Sequence, residues 1–332
     1  MWGRKKNILA GILALLLGLF SGCGLMSWKP ELKTKVEVAK SPDLKLSSTM
    51  KEVIDNPAFK GFGRLLFPIN KDVPELRLLK DIGSDMPDCT AVSLERTVGV
   101  INTLKHQAEH GDRIFYDIYT DEEKAKDPGK KNTGLIFFKG REGGKVAICN
   151  AGEGFKYVAA MHESFPVAME LANRGYNSFA LIYRPGAQTA AEDLAKAIAF
   201  LHVHAEDLKI NMKGYSLWGA DNGGKMAAWL GSLGTENFGQ KEYPKAGAVI
   251  MQYSDLADVY GNEPATYAVV GMDDKKVPYQ TVSARISQVK ARGRVAEVQV
   301  LFGVDHGFGL GEGTGAIGWL DNAVAFWEKN TK

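Results

Sequence analysis

The chain has 332 residues, 45% hydrophobic and 24% charged, with 41 basic and 39 acidic side chains. That composition is ordinary for a folded globular protein and excludes a disordered or low-complexity chain. A formal charge of +2 without a basic run excludes nucleic acid as the expected partner.

The first segment has to be set aside before fold is read. Arg4-Lys5-Lys6 precedes an apolar stretch from Ile8 to Phe20, and Leu19-Phe20-Ser21-Gly22-Cys23 follows. The stretch is short of the roughly 20 residues that span a bilayer. The run resembles a bacterial lipobox, which implies a signal peptide over 1–22, lipid attachment at Cys23 and export to the cell envelope. The first 22 residues carry three basic and no acidic groups, so the remainder has 38 basic against 39 acidic, a net charge of −1. Of the other cysteines, Cys89 and Cys149 read as two separate buried thiols, although export leaves a pairing open. Residues 23–48, rich in lysine and serine, read as a polar tether.

Residues 49–112 carry short helical patterns, at Glu75–Leu79 and Val98–His106, and are expected as an N-terminal helical extension. The pattern changes in 113–332. Strands are expected at Arg113–Tyr119, Gly134–Lys139 and Lys145–Asn150. Helix Phe165–Arg174, strand Asn177–Tyr183, helix Ala190–Leu208, strand Tyr215–Trp218 and helix Gly223–Leu233 follow. Strands Ala248–Tyr253 and Tyr267–Gly271, helix Val282–Ala291, strand Val298–Phe302 and helix Trp319–Glu328 complete the series. Alternation of this kind implies a mostly parallel eight-stranded sheet with helices on both faces. The Gly-rich turn 140–144 points to an antiparallel second strand. Only Ser254–Thr266 joins the sixth and seventh strands, so no large lid domain is expected.

Gly219-Ala220-Asp221-Asn222-Gly223 stands between a strand and a helix, the setting of a G-x-S-x-G nucleophile elbow, with aspartate in the serine position. Asp274 follows the seventh strand and His306 the eighth. The order nucleophile, acid, histidine is that of a triad built on such a sheet, whose strand ends hold ligands. Asp273 is the alternative acid. Ser216 lies in a G-x-S pattern of its own, but Trp218 replaces the closing glycine and the residue falls inside a strand. Gly152-Glu153-Gly154-Phe155 follows the third strand, and Asn222 stands beside position 221. Tyr157, Tyr183 and Tyr253 sit near strand ends, where packing or pocket lining is expected.

Tyr215-Ser216-Leu217-Trp218-Gly219, Gly307-Phe308-Gly309-Leu310-Gly311 and Gly318-Trp319-Leu320-Asp321 resemble the α/β-hydrolase superfamily. The nearest likeness is to exported bacterial esterases that act on acetyl esters and carbohydrate esters. The resemblance spans about 113–330 and implies Asp274 as acid, His306 as base and position 221 for the nucleophile. It implies a small-molecule substrate, an ester or acylated carbohydrate, with no cofactor and no metal. It also implies that the loop Gly152-Glu153-Gly154-Phe155, with Asn222, offers N–H groups to an oxyanion; the chain departs from that pattern at Asp221 and at Glu153, where glycine is expected.

Four readings follow. The first is an exported esterase-like hydrolase diverged at its nucleophile. The second is an Asp-nucleophile hydrolase, since carboxylates attack saturated carbon, in carbon–halogen bonds or epoxides, better than ester carbonyls. The short Ser254–Thr266 connection and Asn222, in place of a halide-binding tryptophan, speak against it. The third is a non-catalytic binding protein, and the last a metal site of Glu153, Asp221 and His306.

Overall fold

The computed structural model describes residues 32–69, 71–85 and 93–332. The expected signal peptide over 1–22, Cys23 and Cys89 lie outside the described residues. Eight strands, β1 (Phe115–Tyr116), β2 (Gly134–Phe138), β3 (Lys145–Asn150), β4 (Asn177–Ile182), β5 (Asn211–Ala220), β6 (Ala248–Gln252), β7 (Ala265–Gly271) and β8 (Ala296–Leu301), form one sheet in the order β1-β2-β4-β3-β5-β6-β7-β8. β2 is antiparallel to β1 and β4, and every other pair is parallel. The Gly-rich turn therefore leads into an antiparallel step without making a hairpin, because β4 lies between β2 and β3. β2, β4 and β6 are buried along their whole length, as a sheet covered on both faces requires.

The helices are α1 (Met50–Ile54), α2 (Leu94–Glu109), α3 (Asp121–Lys126), α4 (Ser164–Asn173), α5 (Ala187–Val203), α6 (Asp221–Leu233), α7 (Tyr279–Ala291) and α8 (Trp319–Asn330). The β3–α4–β4 unit steps toward the β1 edge, whereas β4–α5–β5, β5–α6–β6 and β7–α7–β8 step the other way. Right-handed crossovers then place α4 on the face opposite α5, α6 and α7. The direction reverses between β3 and β5, which are neighbours, so their C-terminal ends open a crevice between them. The loop after β3 and the turn after β5 meet there.

Several boundaries differ from expectation for local reasons. β1 covers two residues rather than Arg113–Tyr119, because its ladder with β2 has only two paired positions. α5 starts at Ala187, after Gly186 at φ 95°, and stops at Val203, short of Leu208. Glu75–Leu79 is not a helix; it is a turn leading into a 3-10 run, Leu79–Asp85. α2 contains the expected Val98–His106 and is capped by Ser93, whose hydroxyl accepts from Arg96 N.

Of the expected tether, the part from residue 33 on is packed rather than free. Residues 33–332 form one compact unit, and the chain from Thr34 to Leu44 is seated on it. Val36 N donates to Gly111 O at 3.0 Å and Arg113 N to Thr34 O at 2.9 Å. Leu44 is buried, and its main chain exchanges two hydrogen bonds with the Asn102 side chain. Lys105, 1% exposed, reaches Asp43 at 3.0 Å and Glu109 at 3.1 Å. Lysine-rich composition reads as solvated chain, but here backbone pairing and one buried ammonium hold it down. The extension is tied on as well, through the Phe62 ring stacked 4.7 Å from Phe115 of β1 and Arg96 bound to Glu170 of α4 at 2.6 Å.

Candidate active site

Asp221 is the first residue of α6 and has φ 45°, a left-handed conformation that costs a side-chain-bearing residue roughly 1–2 kcal/mol. The turn holds it there because the glycines around it admit main chain where a side chain would stand. A Cβ on Gly219 would lie 2.2 Å from the carbonyl of Gly223, and one on Gly223 would lie 2.3 Å from Asn150 O. Gly152 is constrained in the same way, since its Cβ would meet Asp221 Cβ at 2.5 Å.

The Asp221 carboxylate points into the loop after β3. Its Oδ2 accepts from Glu153 N at 3.0 Å, Gly154 N at 3.2 Å and Asn222 Nδ2 at 2.8 Å. Oδ1 takes no hydrogen bond from the described residues. The loop supplies two donors of this three-donor cup by turning left-handed at three successive residues, Glu153 (φ 81°), Gly154 (φ 67°) and Phe155 (φ 57°), and α6 supplies the third through Asn222. Phe155 is pinned by the Trp229 ring at 5.8 Å and by Gly186 N, which donates to its carbonyl. The Glu153 carboxylate accepts from Tyr157 OH at 3.0 Å. Gly152, expected among the oxyanion donors, sends its N–H the other way, to Glu163 Oε2 at 2.5 Å.

The residues expected as acid and base are together. His306 Nδ1 lies 2.8 Å from Asp274 Oδ2, and Asp274 Oδ1 accepts from Lys276 N and Val277 N at 2.9 and 2.7 Å. With its side chain fully buried, Asp274 can orient the ring and stabilise an imidazolium. Asp273 is exposed, and it is Asp274 that holds His306 Nδ1. A cleft of about 440 Å³ is lined by Asp221, Asn222, Glu153 and His306, with Lys71 and Lys276 at its wall.

Solved structures were compared with this arrangement. An acetyl ester-xyloside bifunctional hydrolase from Caldicellulosiruptor lactoaceticus superposes with TM-score 0.57 at 17% identity, over 65% of this chain and 95% of its own. The propionate-bound esterase Est2 of the planctomycete Thermogutta terrifontis does so with TM-score 0.55 at 17% identity, over 65% and 93%. Esterase 2 of Thermogutta terrifontis phosphonylated by cyclosarin gives 0.53 at 18%, over 66% and 96%. No protein-family model and no curated protein matches the sequence. The chain has the α/β-hydrolase fold.

Within that fold the remaining expected residues find clear places. Ser216 is fully buried and its Oγ accepts from Trp218 Nε1 at 2.7 Å, away from the cleft. The tyrosines do more than pack. Tyr157 donates to Glu153; Tyr183 OH, fully buried, donates to Ala151 O at 2.6 Å and steadies the loop; Tyr253 lies with its ring 4.7 Å from that of His306. Cys149 is a buried free thiol whose ionisation burial opposes. Among the described residues no group of three or more His, Cys, Asp or Glu side chains is placed to hold a metal ion. The metal reading of Glu153, Asp221 and His306 has no geometric support there.

Glu163 went unnoticed in the sequence. It precedes α4, is 4% exposed, and accepts from Gly152 N and, at 3.2 Å, from Tyr253 OH. Burial first, then the charge on Glu153, pushes its carboxyl up to about 8. An acidic residue just before a helix is ordinary, so its burial was the missing signal.

Proposed function

We propose that this protein is a hydrolase in which Asp221 attacks a saturated carbon and His306, oriented by Asp274, drives water onto the resulting ester. The observation that carries this reading is the Asp221 carboxylate, with Oδ2 seated in the cup and Oδ1 left to react. For an ester substrate the arrangement is poor. The cup would have to receive the substrate's oxyanion, and attack by a carboxylate would give an anhydride.

For attack at saturated carbon the same geometry serves both steps. Oδ1 forms a bond to carbon while the leaving group, a halide or an epoxide oxygen, departs with the bonding pair. No oxyanion develops on an acyl group, and the substrate does not need the cup. His306 then takes a proton from water, and the hydroxide adds to Asp221 Cγ. Charge builds on Oδ2, where Glu153 N, Gly154 N and Asn222 Nδ2 already point. Collapse expels the product alkoxide with Oδ1, His306 returns the proton, and Asp221 keeps one oxygen from water. The left-handed strain at Asp221 and the intact His306–Asp274 pair support a working site over a purely binding role.

The structural neighbours named as esterases favour a second reading, hydrolysis of small esters with water driven directly by His306. The lipobox resemblance supports attachment at Cys23 to the cell envelope. Globomycin blocks processing if that is correct, and unchanged processing rejects it.

The deciding experiment is a single turnover of the full chain in oxygen-18 water with bromoalkanes, bromoacetate and epoxides, followed by mass spectrometry of the peptide containing Asp221. One oxygen-18 in that peptide is the expected result. Turnover without label, or ester hydrolysis that survives Asp221→Ala, overturns the proposal in favour of water-driven ester cleavage. No turnover of any electrophile or ester overturns it in favour of binding.

A further inference from the structure

Three carboxyl groups crowd one loop. Asp221 and Glu153 lie on its cleft side, and Glu163 lies behind it, buried. Only the first is held in the cup. Glu163 makes no contact with the cleft; its two oxygens reach instead to two different parts of the machinery. Oε2 accepts from Gly152 N at 2.5 Å, one residue before the donors of the cup. Oε1 accepts from Tyr253 OH at 3.2 Å, and the Tyr253 ring lies against His306 at 4.7 Å. Tyr253 itself has φ 36°, so the residue that bridges Glu163 and His306 is held out of the ordinary strand conformation.

We propose that Glu163 is a positioning residue of this site: its carboxyl group sets the Gly152–Gly154 loop that holds Asp221 Oδ2 and, through Tyr253, couples that loop to the His306 ring. The inference rests on the reading of Asp221 as nucleophile only for its consequence on rate; the structural coupling stands without it.

The surroundings define how the coupling responds to pH. Glu163 faces Glu153 and Asp221 across the loop, Tyr183 from the end of β4 and Tyr253 from the end of β6, with His162 beside it in the chain. The His162 ring is buried, which pushes it down to about 4, so it supplies no positive charge near neutrality. No cation is among the groups that shift Glu163. With burial and two carboxylates opposing its charge, Glu163 keeps its proton up to about pH 8. Protonated, it accepts from Gly152 N without adding a third negative charge to the loop. Ionised, it repels Asp221 and Glu153 and competes more strongly for the loop's N–H groups. A cavity of about 10 Å³ borders Glu163 and Asn150, whose Oδ1 is buried without a partner. That is room for about one water, between a proton donor and an unpaired acceptor.

The test reads the loop directly and needs no substrate. In the nitrogen-15-labelled full chain, the amide resonances of Gly152, Glu153 and Gly154 should move together in a step centred near pH 8. Glu163→Gln, which mimics the neutral acid, should abolish the step and leave the resonances at their low-pH positions. Tyr253→Phe should retain the step at Gly152 while the His306 ring signals no longer follow it. If Glu163→Gln does not fold, Tyr253→Phe still decides the matter. A step that persists in Glu163→Gln, His306 signals that follow unchanged in Tyr253→Phe, or no step in the wild type, overturns the proposal. Where turnover is found, its high-pH limb should vanish in Glu163→Gln. A missing oxygen-18 label with the amide step intact rejects the nucleophile reading and leaves this one standing.

Discussion

Replacing Gly223 by alanine should damage the site more than the fold. The new Cβ would stand 2.3 Å from Asn150 O, 2.6 Å from Ala151 O and 2.8 Å from Asn150 C, whereas ordinary contact begins near 3.4 Å. The end of α6 and the end of β3 must separate by about 1 Å, and every opposing atom is main chain. β3 is hydrogen-bonded on both sides, by β4 and β5, so it yields little. Overpacking of this kind costs about 1–3 kcal/mol, and the upper end is expected here. The same displacement stretches Glu153 N and Gly154 N, now 3.0 and 3.2 Å from Asp221 Oδ2, beyond hydrogen-bond length. Losing two donors to a developing charge should lower kcat about 100-fold or more. Urea unfolding followed by fluorescence measures the first effect, and turnover of the fully folded variant measures the second. An unchanged midpoint would refute the steric argument. A lower midpoint with undiminished turnover would refute the link between elbow and cup.

Gly99 offers the opposite case, a glycine within α2 with nothing near its Cβ position, so Gly99→Ala should raise stability by about 0.5–1 kcal/mol in the same urea experiment. Glu163 is protonated in the folded chain up to about pH 8 and ionises near pH 4.5 when unfolded. The unfolded chain therefore binds fewer protons in that window, and stability falls as pH rises through it. Glu163→Gln should remove this slope, which amounts to on the order of 3 kcal/mol between pH 5 and 8; parallel stability curves for the two proteins would exclude it. Lys105→Met should destabilise by about 3 kcal/mol, by leaving Glu109, whose side chain is 7% exposed, without its cation, and should expose residues 33–48 to limited proteolysis. Asp274→Asn should reduce turnover at least about 100-fold in a bromide-release assay while exposed Asp273→Asn leaves it near wild type, because Asp274 is the carboxyl that holds His306 Nδ1.

The parts of the molecule legible in the sequence are those in which spacing and residue type carry the information. Glycines two positions either side of Asp221 announced a tight turn, and the structure shows why no other residue fits there. Strand ends placed Asp274 and His306, and alternation of apolar runs with helices announced the parallel sheet. What stayed hidden depends on side-chain direction and main-chain pairing. The seating of Asp221 Oδ2 follows from three consecutive left-handed residues, two of them not glycine, and composition offers no sign of that. Glu163 looked like an ordinary acidic residue at a helix start until its burial was known. The lysines of 33–48 disguised a segment held by backbone hydrogen bonds, which any sequence can make.

The filled cup also determines how this protein can be detected. Fluorophosphonate reagents need a nucleophilic hydroxyl and an empty set of donors for the phosphoryl oxygen. This elbow offers a carboxylate, and the donors are already engaged by its own oxygen. Surveys that identify hydrolases by such labels would pass it over. On the chemistry proposed above, probes suited to it are alkylating electrophiles, captured on Asp221 in a variant whose base has been removed.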